Sequence, residues 1–262
     1  MNAGGAILEG SNLHFAYAMR HPAVAGVSLS FPRGAVGGLI GANGCGKSTL
    51  IRLLAGVLAP SQGEVRFDGA ALSSIEPRLL AKRIAYVAQS TPRTFPFTAM
   101  EVVLTGRSPY IPRFRFENSL DVEKAWAALE AVGIADLAQR RVTELSGGER
   151  QLVSVARALA QEPECLLLDE PSSSLDLKHR ADLIRMLFEL RRSKGLSVLM
   201  VTHDLSLLDP GFDLVFAMSR GRIAVQGCPS AVLRDGVLAE IYGDGHVRTS
   251  RVDGRTFVWS EV

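Results

Sequence analysis

The sequence predicts an α/β fold, one sheet with a helical segment inserted into it, and three observations carry the prediction. Short apolar segments, mostly rich in branched residues, recur between turn or charged residues, the pattern of buried strands. A glycine-rich turn, Gly41 to Thr49, joins one of these strands to a helix. Between Gln89 and Cys165 apolar residues recur three and four apart, the period of a helix packed on one face.

In chain order, Val36 to Ile40 reads as a buried strand and Lys47 to Ala55 as a helix. Glu64 to Phe67 and Ile84 to Val87 are further strands. Ser90 to Phe116 contains Pro92, Pro96, Pro109 and Pro112, which oppose regular structure over much of that stretch, so a long functional loop is expected there. Asp121 to Val132 follows as a helix with Val122, Ala125, Trp126, Leu129 and Val132 on one face, and Glu149 to Gln161 as another with Leu152, Val155, Ala156 and Leu159. Cys165 to Leu168, Val198 to Thr202, Leu214 to Met218 and Ile223 to Gln226 complete the strands. Leu183, Leu187 and Leu190 give the helix after Asp176 its buried face, and Val247 to Arg251 with Thr256 to Trp259 resemble a small hairpin about Asp253-Gly254.

At 262 residues the chain suits one large domain, or one core with an inserted subdomain. Its 47% hydrophobic and 21% charged residues are ordinary for a soluble globular protein, and a net charge of +2 gives no support to a polyanion partner. Cys45, Cys165 and Cys228 are odd in number and lack metal-ligand spacing, so a reducing cytosol is expected and neither disulfides nor zinc. Met1 to Gly10 lacks the pattern of a secretory signal. The longest apolar runs, such as Leu166 to Leu168 and Val198 to Val201, fall far short of the roughly 18 residues that cross a bilayer. Service to a membrane therefore requires a partner that spans it.

Gly41-Ala42-Asn43-Gly44-Cys45-Gly46-Lys47-Ser48-Thr49 matches the phosphate-loop pattern of glycine, four residues, glycine, lysine and serine. Glycines let successive backbone N–H groups turn inward on phosphate oxygens, and the following helix presents its positive end. In such a loop Lys47 meets the β and γ phosphates and the Ser48 hydroxyl reaches Mg²⁺, while Cys45 reads as a small filler. The strand from Cys165 ends in Asp169-Glu170, where one carboxylate can hold Mg²⁺ through water and the other can take a proton from an attacking water. Val201-Thr202-His203-Asp204 ends a later strand in the same way and places His203 to sense a γ phosphate. Gln89, beyond Ile84 to Val87, can touch the metal or the water.

Leu145-Ser146-Gly147-Gly148-Glu149, standing ahead of Asp169-Glu170, resembles the signature of ATP-binding cassette ATPases. Ser146, Gly147 and Gly148 cap a helix expected to begin near Glu149, a second phosphate-binding helix end. The resemblance covers nearly the whole chain. It implies a P-loop (RecA-like) nucleotide-binding core at 1–89 and 162–240 with an N-terminal antiparallel β subdomain, an α-helical subdomain inserted at 90–161, and a short extension at 241–262. It implies ATP and Mg²⁺ as cofactors, with ATP sandwiched in a homodimer between the phosphate loop of one copy and the signature of the other. Tyr17 matches the aromatic that stacks on adenine, although a tyrosine buried in an N-terminal strand would leave the same sequence. Gln89 matches the Q-loop, Ser174-Leu175-Asp176 the D-loop and His203 the switch histidine. The implied mechanism is in-line attack of water on the γ phosphate: Glu170 polarises the water, His203 holds the phosphate, and Lys47, Mg²⁺ and the facing signature stabilise charge.

A free-standing cassette of this length resembles a bacterial importer subunit, peripheral to the cytoplasmic face of the inner (plasma) membrane. Thr105-Gly106-Arg107-Ser108-Pro109-Tyr110, Ala138 to Arg141 and Ile241-Tyr242-Gly243 are similar to the iron-siderophore, haem and cobalamin importer group. That resemblance implies that 90–116, with Phe95, Phe97, Tyr110, Phe114 and Phe116, docks an integral-membrane permease, and through it serves a periplasmic or extracellular binding protein. Arg113 and Arg115 between aromatics also fit nucleic-acid stacking, but the bulk charge is against nucleic acid. Leu152 and Ser172-Ser173-Ser174 depart from the family pattern without removing a catalytic group. The competing classes are a soluble cassette ATPase acting on DNA or ribosomes and a nucleotide-switched scaffold. The first tends to carry a coiled-coil insertion or two cassettes, which do not occur here, and Lys47, Asp169, Glu170 and His203 argue against the second.

Overall fold

The computed structural model describes residues 5–17, 22–89, 96–208, 211–243, 245–252 and 255–261. Its elements begin with β1 (Ala6–Phe15), β2 (Val24–Pro32), β3 (Val36–Gly41), α1 (Lys47–Leu54), β4 (Gln62–Phe67) and β5 (Ala70–Ala71). Next come α2 (Pro77–Arg83), β6 (Ile84–Val87), α3 (Ala99–Leu104), α4 (Ser119–Ala131), α5 (Gly147–Ala160), β7 (Cys165–Asp169) and α6 (Leu177–Lys194). The chain closes with β8 (Ser197–Val201), β9 (Leu214–Ser219), β10 (Arg222–Gly227), α7 (Pro229–Val232), α8 (Asp235–Tyr242), β11 (Val247–Val252) and β12 (Arg255–Ser260). It divides into two compact units, Met1–Ser74 with Ser197–Val262, and Ile75–Leu196. The insertion expected at 90–161 lies within the second of these units.

In the first unit β2, β1, β4 and β5 form an antiparallel sheet in that order. The strands β10, β9, β3 and β8 lie side by side, with β3 parallel to both β8 and β9. β3 and β8 are buried along their whole length, as strands covered on both faces are. α1 packs against β1 of one sheet and β3 and β8 of the other. Phe31, Leu39, Ile40, Leu50, Ile51 and Phe216 are almost fully withdrawn from water, and each such side chain contributes about 1.5–3 kcal/mol. β11 and β12 form the expected hairpin, Val247 opposite Ser260 and Val252 opposite Arg255, with the tip Asp253-Gly254 outside the described residues.

In the second unit β6 runs parallel to β7, Ile84 opposite Cys165 and Val87 opposite Leu168. α3, α4 and α5 pack on one another, and α5 also packs on β6. Three expectations need correction. The stretch 90–116 is not loop throughout: Thr98 and Glu101 form a capping box that starts α3, and a 3-10 turn at Thr105–Arg107 follows, so Pro96, Pro109 and Pro112 flank regular structure; Pro92 and Phe95 lie outside the described residues. On α4 the buried residues are Asp121, Ala125, Ala128 and Leu129, while Val122 and Trp126 are exposed. Asp121 turns inward because a buried arginine neutralises it, which apolar periodicity cannot register. On α6 Leu183, Met186 and Leu187 are buried, and Leu190 is only half-buried. Among the described residues no helix is long and apolar enough to cross a membrane.

Candidate active site

The buried strand β3 ends at Gly41 and α1 begins at Lys47, so the chain turns tightly between them. Gly41 and Gly46 adopt φ of 146° and 108°, which glycine tolerates and other residues do not. A Cβ on Gly41 would lie 2.2 Å from the Met218 carbonyl oxygen, and one on Gly46 would lie 2.0 Å from that of Ala23. Lys47 is 5% exposed, and its ammonium donates to the carbonyl oxygens of Gly41 at 2.8 Å and Ala42 at 3.0 Å. Both partners are neutral, so among the described residues the ammonium is hydrogen-bonded but has no counter-charge, which favours an anion beside it. Asn43 and Gly44 are exposed, Ala42 and Ser48 half-buried, and Thr49 buried. Cys45 is buried, and burial pushes its thiol pKa up despite the nearby Lys47, which fits a filler and not a nucleophile.

Tyr17 lies beyond the end of β1, is 46% exposed, and meets Phe15 edge-on with ring centroids 4.9 Å apart. It is therefore an available aromatic and not a buried strand residue. His203 is exposed just beyond β8. Its turn is tied down by the Asp204 N–H donating to Thr202 Oγ1 at 3.0 Å and the Ser206 N–H donating to Asp204 Oδ1 at 3.1 Å.

In the second unit β7 delivers Asp169, fully buried, with the Tyr86 hydroxyl donating to its Oδ2 at 3.3 Å. Glu170 follows at φ 51°, a left-handed conformation uncommon for a residue with a Cβ and often found at functional sites. Gln89 Nε2 donates to Glu170 Oε2 at 2.8 Å. Parallel pairing of β6 with β7 brings these two strand ends together, although 81 residues separate them. A carboxylate so oriented can accept a proton from water. Asp176 caps α6 by accepting the His179 N–H at 2.8 Å, and that bond holds its carboxyl below the usual range.

Ser146 Oγ accepts the Glu149 N–H at 3.2 Å, and the Glu149 carboxylate accepts the Ser146 N–H at 2.7 Å, a complete capping box. The helix starts at Gly147, so Gly147 and Gly148 are its first two residues and not caps. Their use is close approach: a Cβ on Gly148 would lie 3.0 Å from the Ser174 carbonyl oxygen and 3.2 Å from Leu175 Cδ2. The signature and Ser174-Leu175 therefore form one packed corner. Tyr86 was not among the expected site residues. A hydroxyl in a short buried strand, needing a partner, is the signal that points to it.

Residues 24–173 match the model of the ABC transporter family. The chain belongs to that family. As an ABC cassette it is an ATPase with an antiparallel β subdomain and a helical insert. The ferric enterobactin transport ATP-binding protein FepC of Escherichia coli is 36% identical over 243 residues, covering 93% of this chain and 89% of FepC. The phosphonates import ATP-binding protein PhnC of Chromohalobacter salexigens is 40% identical over 244 residues, covering 90% and 89%. A transporter assigned to the metal-chelate type, solved in an inward-facing conformation, superposes on the cassette with a TM-score of 0.84 at 28% identity, over 98% of each chain.

Proposed function

We propose that this cassette works as a homodimer that binds and hydrolyses MgATP to drive uptake of an iron-siderophore, haem or cobalamin-type substrate. The observation that carries the nucleotide reading is Lys47, a buried ammonium bonded, among the described residues, to carbonyl oxygens alone, in a loop whose Gly41, Gly44 and Gly46 have positive φ. Phosphate oxygens supply the charge it lacks. The loop Gly41 to Thr49 binds the phosphates and Tyr17 stacks on adenine. Ser146, Gly147, Gly148 and Asp176 act on the nucleotide held by the facing copy. Ser48, Gln89 and Asp169 are oxygen donors of the kind Mg²⁺ takes, and the ion when bound spreads the phosphate charge. Glu170, oriented by Gln89, accepts the proton of the attacking water, and His203 holds the γ phosphate.

The importer reading draws on FepC and on the metal-chelate type transporter. PhnC favours a second reading, a phosphonate or related oxyanion as cargo. The permease docks on 90–116, where Phe97, Phe114 and Phe116 are exposed, and links the cassette to an external binding protein. The cassette then sits peripherally on the cytoplasmic face of the plasma membrane, with a helical subdomain at 90–161 and an extension at 241–262.

Glu170→Gln should retain ATP binding, lose about 10²–10⁴-fold in turnover, and accumulate as an ATP-bound dimer by light scattering. Wild-type turnover in that variant would show that another group takes the proton. Uptake by proteoliposomes of iron chelates, haem, cobalamin and phosphonates, assayed in parallel, separates the two cargo readings.

A further inference from the structure

The stretch Thr105-Gly106-Arg107 is internal to the second unit and holds it together. Its turn packs so closely on α5 that a Cβ on Gly106 would lie 2.2 Å from the Arg157 carbonyl oxygen. Arg107 is 3% exposed and its guanidinium joins several segments. Nε donates to Asp121 Oδ1 at 3.1 Å, and Nη1 donates to the Ala160 carbonyl at 2.7 Å and to Glu162 Oε2 at 3.0 Å. The guanidinium lies 3.9 Å from the centre of the Tyr110 ring, whose hydroxyl donates to the Gln161 carbonyl at 2.9 Å. Asp121 also accepts the Asn118 N–H in the cap of α4. From α2, Arg78 donates to the carbonyls of Pro109 and Ile111, both at 2.7 Å. Residues 107–111 are thus clamped, whereas 112–118 beyond them are exposed, Phe114 and Phe116 almost completely.

A cation at a helix C-terminus bonds its open carbonyls and complements its dipole. α5 has 14 residues, a rod of about 20 Å, with Arg107 at its last carbonyls and Ser146 at its start. We propose that Arg107 is a positioning residue that joins the exposed loop 112–118 to α5, so that a partner moving the loop moves the signature with it. A planar fork that stacks and bonds two helices at once is a task lysine cannot perform. The proposal rests on the reading of this loop as permease-facing.

The test uses the complete transporter in liposomes beside the isolated cassette. Arg107→Lys should lower permease-stimulated ATP turnover by about tenfold or more, within the usual range of coupling between sites. Basal turnover and ATP affinity of the isolated cassette should stay within about twofold. Tyr110→Phe, which keeps the ring under the guanidinium and loses the hydroxyl bond to Gln161, should show a smaller loss of the same kind, and it decides the matter if Arg107→Lys does not fold. Equal losses in isolated and assembled forms, or no loss in either variant, overturn the proposal. Crosslinking of a Phe114→Cys, Cys228→Ser chain to the permease tests the underlying reading separately. No crosslink removes the docking surface, while a crosslink with unimpaired Arg107→Lys turnover removes only the role of Arg107.

Discussion

Two polar groups, the Lys47 ammonium and the Tyr242 hydroxyl, are buried beside the phosphate loop in different ways. The Lys47 ammonium donates to two carbonyl oxygens. Tyr242, at the end of α8, buries a hydroxyl that has no hydrogen-bond partner among the described residues, near the backbone of Gly41 and the thiol of Cys45. Burial pushes its pKa up to about 12. An acid raised in the folded state stays neutral where the unfolded chain has ionised. Its contribution to stability is therefore complete below about pH 10 and is lost as pH rises to about 12. Tyr242→Phe should hold or raise the melting temperature at neutral pH, since an unpaired buried hydroxyl carries only its desolvation cost. It should also flatten the alkaline loss of stability. Thermal unfolding across pH measures both, and a marked drop at neutral pH would mean that the hydroxyl is bonded.

Among the elements, α5 depends most visibly on its ends. Its first turn is closed by Ser146 and Glu149, and the bonds from Ser146 hold the Glu149 carboxyl below the usual range. A depressed carboxyl stabilises above its unfolded pKa of about 4.3 and loses that contribution as pH falls through the folded value. Ser146→Ala should cost about 1 kcal/mol, a fall of about 2–4 °C in melting temperature. The gap from wild type should narrow below about pH 4 as Glu149 protonates. A gap unchanged in acid would show that the hydroxyl, and not the reciprocal box, carries the effect. The helix name was legible in the sequence, but its first residue was not: glycines at positions 147 and 148 look like a cap until Ser174 and Leu175 are seen packed against Gly148.

At the scale of the whole molecule, a ligand that binds only the folded chain shifts its unfolding. MgATP at about one hundred times its dissociation constant should stabilise by about 2.7 kcal/mol, on the order of 5–10 °C in melting temperature. Lys47→Ala should abolish the shift, and EDTA should reduce it. Wild-type protein whose melting temperature ignores saturating MgATP would not be a nucleotide-binding cassette.

The sequence by itself determined the phosphate loop, the signature and the acidic end of β7, because each is a contiguous run whose chemistry depends on neighbours in the chain. It also placed β3, β7 and β8, which are buried on both faces and read as unbroken apolar runs, but not β1 and β2, whose buried positions are interrupted by exposed ones. Only the tertiary structure decided which distant polar groups meet. Gln89 reaches Glu170 because β6 and β7 pair in parallel, and Tyr86 reaches Asp169 by the same pairing. Asp121 turns inward because Arg107, fourteen positions away, neutralises it. Apolar periodicity reports burial of hydrocarbon. A buried charge is set by its partner, and the fold alone chooses the partner.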